Sequence, residues 1–222
     1  MEIRTTFHKR LRDIQDELLA MGSMVEKAIS RSIEALKNRD LKLANQIIAD
    51  DRKINEKRFE IEETCIQLIA TQQPMAGDLR TIVSVLSIIS ELERIGDHAE
   101  GIAKIVIMIG DEPPLKPLID IPRMAEKTID MLHRSLDAFM SCDQEIAQKI
   151  AAEDDAIDDL YNQVYRELVS YMVEDPKTIT RATRLLWVAH NLERCADRVT
   201  NICERIVFTV TGKMCEIDAS KY

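Results

Sequence analysis

The sequence predicts an all-α protein built as two tandem antiparallel three-helix bundles related by an internal repeat. Three observations carry that expectation. Hydrophobic residues make up 45% of the 222 residues and charged residues 31%, with only six glycines and six prolines. That mix suits long helices and argues against disorder or a β-sandwich. Apolar residues recur at three-and-four spacing over long stretches, the mark of a buried helical stripe. Finally, Leu92-Glu93-Arg94-Ile95-Gly96-Asp97 returns 100 positions later as Leu192-Glu193-Arg194-Cys195-Ala196-Asp197. Over the eleven positions that start at Leu92 and Leu192, five residues coincide, against about one expected from ordinary residue usage.

Taken in order, the first helix is expected from about Glu2 to Lys37, with Leu11, Ile14, Leu18, Met21, Val25, Ile29, Ile33 and Leu36 on its buried stripe. Asn38-Arg39-Asp40 interrupts it, with Asp40 placed to cap the next helix. The second helix runs from about Leu41 to Ala70 and stops before Pro74, because proline disfavours helix at the residue preceding it. The third spans about Gly77 to Ile109 and carries the first motif. The stretch Gly110 to Pro117 holds three of the six prolines and reads as a linker. The pattern then restarts, with helices expected from about Ile121 to Met140, Gln144 to Val173 and Thr178 to Val210, before Gly212 and a polar tail. Residues 1–110 and 118–212 thus form the two repeats, joined by 111–117. Short turns place successive helices side by side, so each half is expected to close as an antiparallel three-helix bundle. A helix of about 33 residues is about 50 Å long, so the molecule is expected to be elongated.

Each motif sets two carboxylates four residues apart, on one helical face. The middle helices of the two repeats also share a pattern: Asp51-Arg52-Lys53-Ile54-Asn55 answers Asp154-Asp155-Ala156-Ile157-Asp158. In an antiparallel hairpin, residues equidistant from the turn face each other. Asp51 and Asp97 are equidistant from Pro74, as are Asn55 and Glu93; Asp154 and Asp197 are equidistant from the Asp175-Pro176 bond, as are Asp158 and Glu193. Four oxygen-bearing side chains are therefore expected at one depth of each bundle, with Asn201 a further oxygen donor in the second repeat. Close like charges raise one another's pKa and call for a counter-charge. Hard oxygen donors without sulfur suit magnesium, calcium, manganese or iron; Arg94 and Arg194 are the competing counter-ions. His98 and His190 face Arg198 and Ser90 in the repeat alignment, so neither is expected as a ligand. The five cysteines (Cys65, Cys142, Cys195, Cys203 and Cys215) show no CxxC spacing and are expected to be buried, reduced thiols.

Composition narrows function as well. A formal net charge of −9 argues against nucleic acid or an anionic membrane surface as the main partner. No apolar run approaches about 18 residues, so no bilayer-spanning helix is expected. Met1-Glu2-Ile3-Arg4 leads into a charged helical pattern without a signal-peptide core, and a cytoplasmic location is expected. No nucleophile–base pair, P-loop or glycine-rich phosphate cradle is present.

The repeated helices, the DxxI(N/D) pattern on the middle helix and LERxxDxxxxI on the last resemble the PhoU family, accessory and regulatory proteins of bacterial phosphate uptake. Asn201-Ile202-Cys203-Glu204 and Asp78-Leu79-Arg80 add to the resemblance. It implies a non-enzymatic protein that dampens the phosphate-starvation response, mediating between the ATPase of the phosphate ABC transporter and a sensor histidine kinase. It also implies multinuclear metal clusters at Glu93, Asp97, Glu193 and Asp197, of iron or of manganese, magnesium, calcium or zinc. Separately from the resemblance, a homo-oligomer, a homodimer, is expected. The alternative is a metal-dependent phosphohydrolase or a di-iron helical-bundle enzyme. Neither Glu93 nor Glu193 has histidine three residues on, as the di-iron bundle signature requires.

Overall fold

A computed structural model describes residues 2–217; Met1 and the end of the expected polar tail lie outside the described residues. The chain forms α1 (Glu2–Asn38), α2 (Leu41–Gln72), α3 (Ala76–Ile109), α4 (Asp120–Ser141), α5 (Gln144–Ala151), α6 (Asp154–Glu174), a single 3-10 turn (Pro176–Thr178) and α7 (Ile179–Thr211). Among the described residues there is no strand, and no helix is long and apolar enough to cross a membrane.

The helix ends follow from local chemistry. The Asp40 carboxylate accepts from Leu43 N at 2.9 Å and starts α2. Asp143 does the same for α5, accepting from Glu145 N and Ile146 N at 3.0 Å. Such caps satisfy backbone donors that have no partner inside the helix. Gly212 closes α7 in the left-handed region at φ 71°, where glycine is unstrained.

One element differs from expectation. The fifth predicted helix is two, α5 and α6, separated at Ala152 and Glu153. Both residues keep right-handed helical backbone, but the turn tightens, with Glu153 N donating to Ile150 O at 3.0 Å. Arg134 of α4 grips the Glu153 carboxylate with both guanidinium nitrogens, while the next residue, Asp154, is buried. Tertiary contacts therefore fix two adjacent acids in opposite directions at a point where the sequence shows no breaker. The cysteines divide too. Cys65, Cys195 and Cys203 are buried, but Cys142 and Cys215 are exposed: Cys142 caps the C-terminus of α4 and opens the α4–α5 turn, and Cys215 lies in the segment after α7.

The two repeats share one hydrophobic core, and the helices at its centre are the motif carriers. α3 and α7 run antiparallel, tied by Ser84 Oγ donating to Arg205 O at 3.3 Å and by His98 Nδ1 donating to Asn191 Oδ1 at 3.0 Å. Their contacts exchange under the repeat. Glu91 accepts from Arg198 at 3.4 Å and from Asn201 at 3.2 Å. Its counterpart Asn191 meets His98, and its Oδ1 stands 3.1 Å from where a Cβ on Gly101 would be. Cys195 Sγ lies 4.0 Å from Ile95 O, so the two equivalent positions meet each other. α3 and α7 thus cross about a local two-fold axis near Ile95 and Cys195, and the acidic motifs lie to either side of it.

Candidate functional site: two acidic clusters

The first cluster lies between α2 and α3. Asn55 Nδ2 donates to Asp51 Oδ2 at 2.9 Å, while Asp51 Oδ1 is buried and accepts no hydrogen bond. Gly96 permits the close approach of the helices: a Cβ there would stand 3.2 Å from Ile54 Cδ1 and 3.5 Å from Asp51 Oδ1. Burial, followed by the charges of Asp97, Glu100 and Glu93, pushes the Asp51 carboxyl up to about 6. Lys104 works against that rise and pairs with Glu100 at 2.6 Å. The neighbouring Asp50 turns outward to Arg31 and Lys53, both at 2.8 Å, and these bonds hold its pKa below the usual range. A cavity of about 180 Å³ between α1, α2 and α3 adjoins Asp51 and is also lined by Lys27, Arg31 and Glu100. Arg94 is exposed and, among the described residues, makes no ion pair.

The second cluster lies between α6 and α7. Asp154 is buried, Asp158 and Asp197 are half-buried, and the Glu193 side chain is 15% exposed. Burial is the largest cause pushing Glu193 up to about 7; the charge of Asp197 adds to it, as do Asp158 and Asp154. Here arginine supplies a counter-charge, with Arg194 Nε 3.2 Å from Glu193 Oε2 and Nη1 2.9 Å from Asp197 Oδ2. His190 Nδ1 lies 3.5 Å from Glu193 Oε2, and its ring centroid is 6.2 Å from that of Tyr161. Burial, with help from Arg194, lowers the His190 pKa, which favours the neutral ring.

Of the predicted site residues, Asp51, Asn55, Glu93 and Asp97 are gathered in the first repeat and Asp154, Asp158, Glu193 and Asp197 in the second, close enough for their charges to be felt at Asp51 and Glu193. Asn201 lies apart, donating to Glu91 across the α3–α7 contact. Glu100, Lys104, Tyr161 and His190 join the clusters without a sequence signal from the repeat. Glu100 sits one turn beyond Asp97, but its counterpart is Thr200, so repeat matching passes over it.

The donors suit a hard cation in chemistry, and the buried, unbonded Asp51 Oδ1 offers open lone pairs to one. Shared depth is not coordination, however. Among the described residues, no group of three or more His, Cys, Asp or Glu side chains is arranged to hold a metal ion. Charge coupling acts over about 4–6 Å, whereas ligation needs oxygens at roughly 2.0–2.6 Å from one centre. Rotamer changes would be needed to close either set around an ion.

The PhoU domain model matches this chain twice, over residues 18–106 and 121–206. The chain is 41% identical over 186 residues to a protein of Aquifex aeolicus named as a phosphate-specific transport system accessory protein PhoU homolog, covering 84% of each. It is 38% identical over 216 residues to the homolog of Clostridium acetobutylicum, covering 97% of this chain and 99% of that one. The crystal structure of PhoU from Pseudomonas aeruginosa superposes with a TM-score of 0.88 at 35% identity, over 93% of this chain and 100% of that chain. With the domain present in both repeats and both acidic pairs on its last helix, the chain belongs to the PhoU family.

Proposed function

We propose that this protein is a cytoplasmic, non-enzymatic regulator of phosphate uptake. In this reading it restrains the phosphate-starvation response when phosphate is plentiful, acting between the ATPase of the phosphate ABC transporter and a sensor histidine kinase, and it does so as a homodimer. The observation that carries the reading is the doubled PhoU domain, together with near full-length similarity to proteins named for phosphate transport. Deletion of the gene tests it. Starvation genes are expected to be expressed in phosphate-rich medium, and tight repression in the deletion strain would overturn the proposal.

Each acidic cluster is proposed to take a hard metal ion or a small cluster of ions. Asp51, Asn55, Glu93 and Asp97 would hold it in the first repeat, and Asp154, Asp158, Glu193 and Asp197 in the second. Bound there, metal supplies positive charge that neutralises crowded carboxylates and ties α2 to α3 and α6 to α7. The chain's own contribution is to bring acidic side chains of neighbouring helices together, with Asp154 buried and Asp51 half-buried beside them. Elemental analysis of protein purified without chelator is expected to show bound metal. That metal should fall by about half in Glu93→Ala plus Asp97→Ala and be lost when Glu193→Ala and Asp197→Ala are added. Equal metal content in wild type and the fourfold variant would dismiss the metal reading while leaving the regulatory one intact.

A further inference from the structure

A cavity of opposite charge character lies at the junction of the repeats. The linker folds over a cavity of about 250 Å³ whose walls come from the end of α1, the α1–α2 turn, the linker itself and the start of α7. Four cations line it: Lys37, Arg39, Lys116 and Arg181. Lys116, 5% exposed at its side chain, is neutralised by Glu167, and the one lining carboxylate, Glu112, is neutralised by Arg184 at 3.4 Å. Lys37, Arg39 and Arg181 make no ion pair among the described residues. The two arginines reach only backbone carbonyls, Arg39 to Asp111 O at 3.5 Å and Arg181 to Pro113 O at 3.3 Å. A guanidinium carries five N–H donors, so both retain donors to spare. Three uncompensated cations around one cavity in a chain of net charge −9 make a local anion trap.

The remaining wall is apolar, formed by Leu36, Leu115 and Pro114 among others, so the cavity suits a ligand with two unlike ends. Arginine forks and a lysine match a dianion with several acceptor oxygens, which is the character of a phosphoryl group. The apolar wall matches a compact organic body. The size is modest beside ligand pockets of roughly 300–1,000 Å³, which limits that body to about one ring.

Comparison with the other repeat argues that the site is more than a by-product of the turn. The α4–α5 turn has the same left-handed backbone, with Cys142 at φ 53° where the α1–α2 turn has Arg39 at φ 55°. The backbone is repeated, but the cation is not. We infer that the linker cavity binds a small organic phosphate, held by Lys37, Arg39 and Arg181, which fastens the linker to α1 and α7. The inference is independent of the metal reading, because no residue of either acidic cluster lines this cavity.

Calorimetric titration of the intact protein with phenyl phosphate and with benzyl phosphate tests it, inorganic phosphate being the third probe. At least one of the organic phosphates is expected to bind saturably with Kd below about 1 mM, more weakly as salt is raised, and to slow amide hydrogen exchange in residues 111–118. Losing charge-assisted hydrogen bonds should weaken it roughly tenfold to a hundredfold in Arg39→Gln plus Arg181→Glu. Lys149→Glu, an exposed change on α5, should leave binding as it is, with folding of each variant checked by circular dichroism. No saturable binding of either organic phosphate overturns the proposal. So does undiminished binding in the folded double variant. Inorganic phosphate binding as tightly as the organic probes overturns the organic half of the assignment.

Discussion

The two acidic clusters share a motif and a place in the fold, yet they answer crowded charge differently. In the first repeat Asp51 is backed by a neutral amide, its second oxygen accepts no hydrogen bond, and Arg94 turns to solvent. In the second, Arg194 bridges Glu193 and Asp197, and His190 Nδ1 lies 3.5 Å from Glu193 Oε2. A repeated sequence thus preserves where oxygens are placed while leaving each half free to choose its counter-charge. Each cluster keeps a buried carboxylate oxygen that accepts no hydrogen bond, Asp51 Oδ1 in the first and Glu193 Oε2 in the second. The second already holds part of its neutralisation within the chain, and an incoming ion would have to compete with that arginine.

The largest expected effect concerns what the halves have in common. Leu92 and Leu192 are both fully buried in the shared core. Leu92→Ala and Leu192→Ala should each cost about 2–5 kcal/mol in urea unfolding, within one cooperative transition. Two separate transitions would break the picture of a common core.

A smaller effect concerns protons. Asp51 rises from 3.8 to about 6 and Glu193 from 4.5 to about 7 on folding. The folded chain therefore keeps protons that the unfolded chain has released, and stability of metal-free protein falls as pH rises through this window. Asp51→Asn should flatten the fall between about pH 4 and 6, and Glu193→Gln should flatten it up to about pH 7. Thermal unfolding of both variants beside wild type across that range measures the difference, which isolates these groups from Asp50, whose lowered pKa acts at more acidic pH. A stability curve for either variant parallel to wild type would remove that carboxyl from the account.

The smallest effect separates the two arginines. Arg194→Ala breaks two partly exposed ion pairs and should cost up to about 1 kcal/mol at neutral pH. Arg94→Ala, at an exposed position, should stay within about 0.5 kcal/mol of wild type. Equal costs in chemical denaturation would show that the two repeats handle charge alike after all.

Much of this was readable from spacing. The stripe from Leu11 to Leu36 and the Asp40 cap are local, since each depends on residues within a turn or two of one another. Hairpin symmetry about Pro74 was equally readable, because helices of regular rise joined by a short turn leave little choice of register. The break at Ala152 was not readable, because it depends on Arg134 reaching Glu153 from another helix. Nor was the placement of Asn201. Its spacing from Asp197 puts it one turn along α7, yet Glu91 on α3 takes its amide. Glu100 was hidden for a different reason: it breaks the very repeat that identified its neighbours.

By itself, then, the chain's pattern of apolar stripes, caps, prolines and duplicated carboxylates determined helices, turns and the depth at which acids meet. Those properties are written in intervals along one chain. Tertiary structure alone decided which charges neutralise which, how α3 and α7 cross at Ile95 and Cys195, and that the linker closes over Lys37, Arg39 and Arg181. Those outcomes depend on distances between residues far apart in sequence, which emerge only once the two repeats bury their apolar faces against each other.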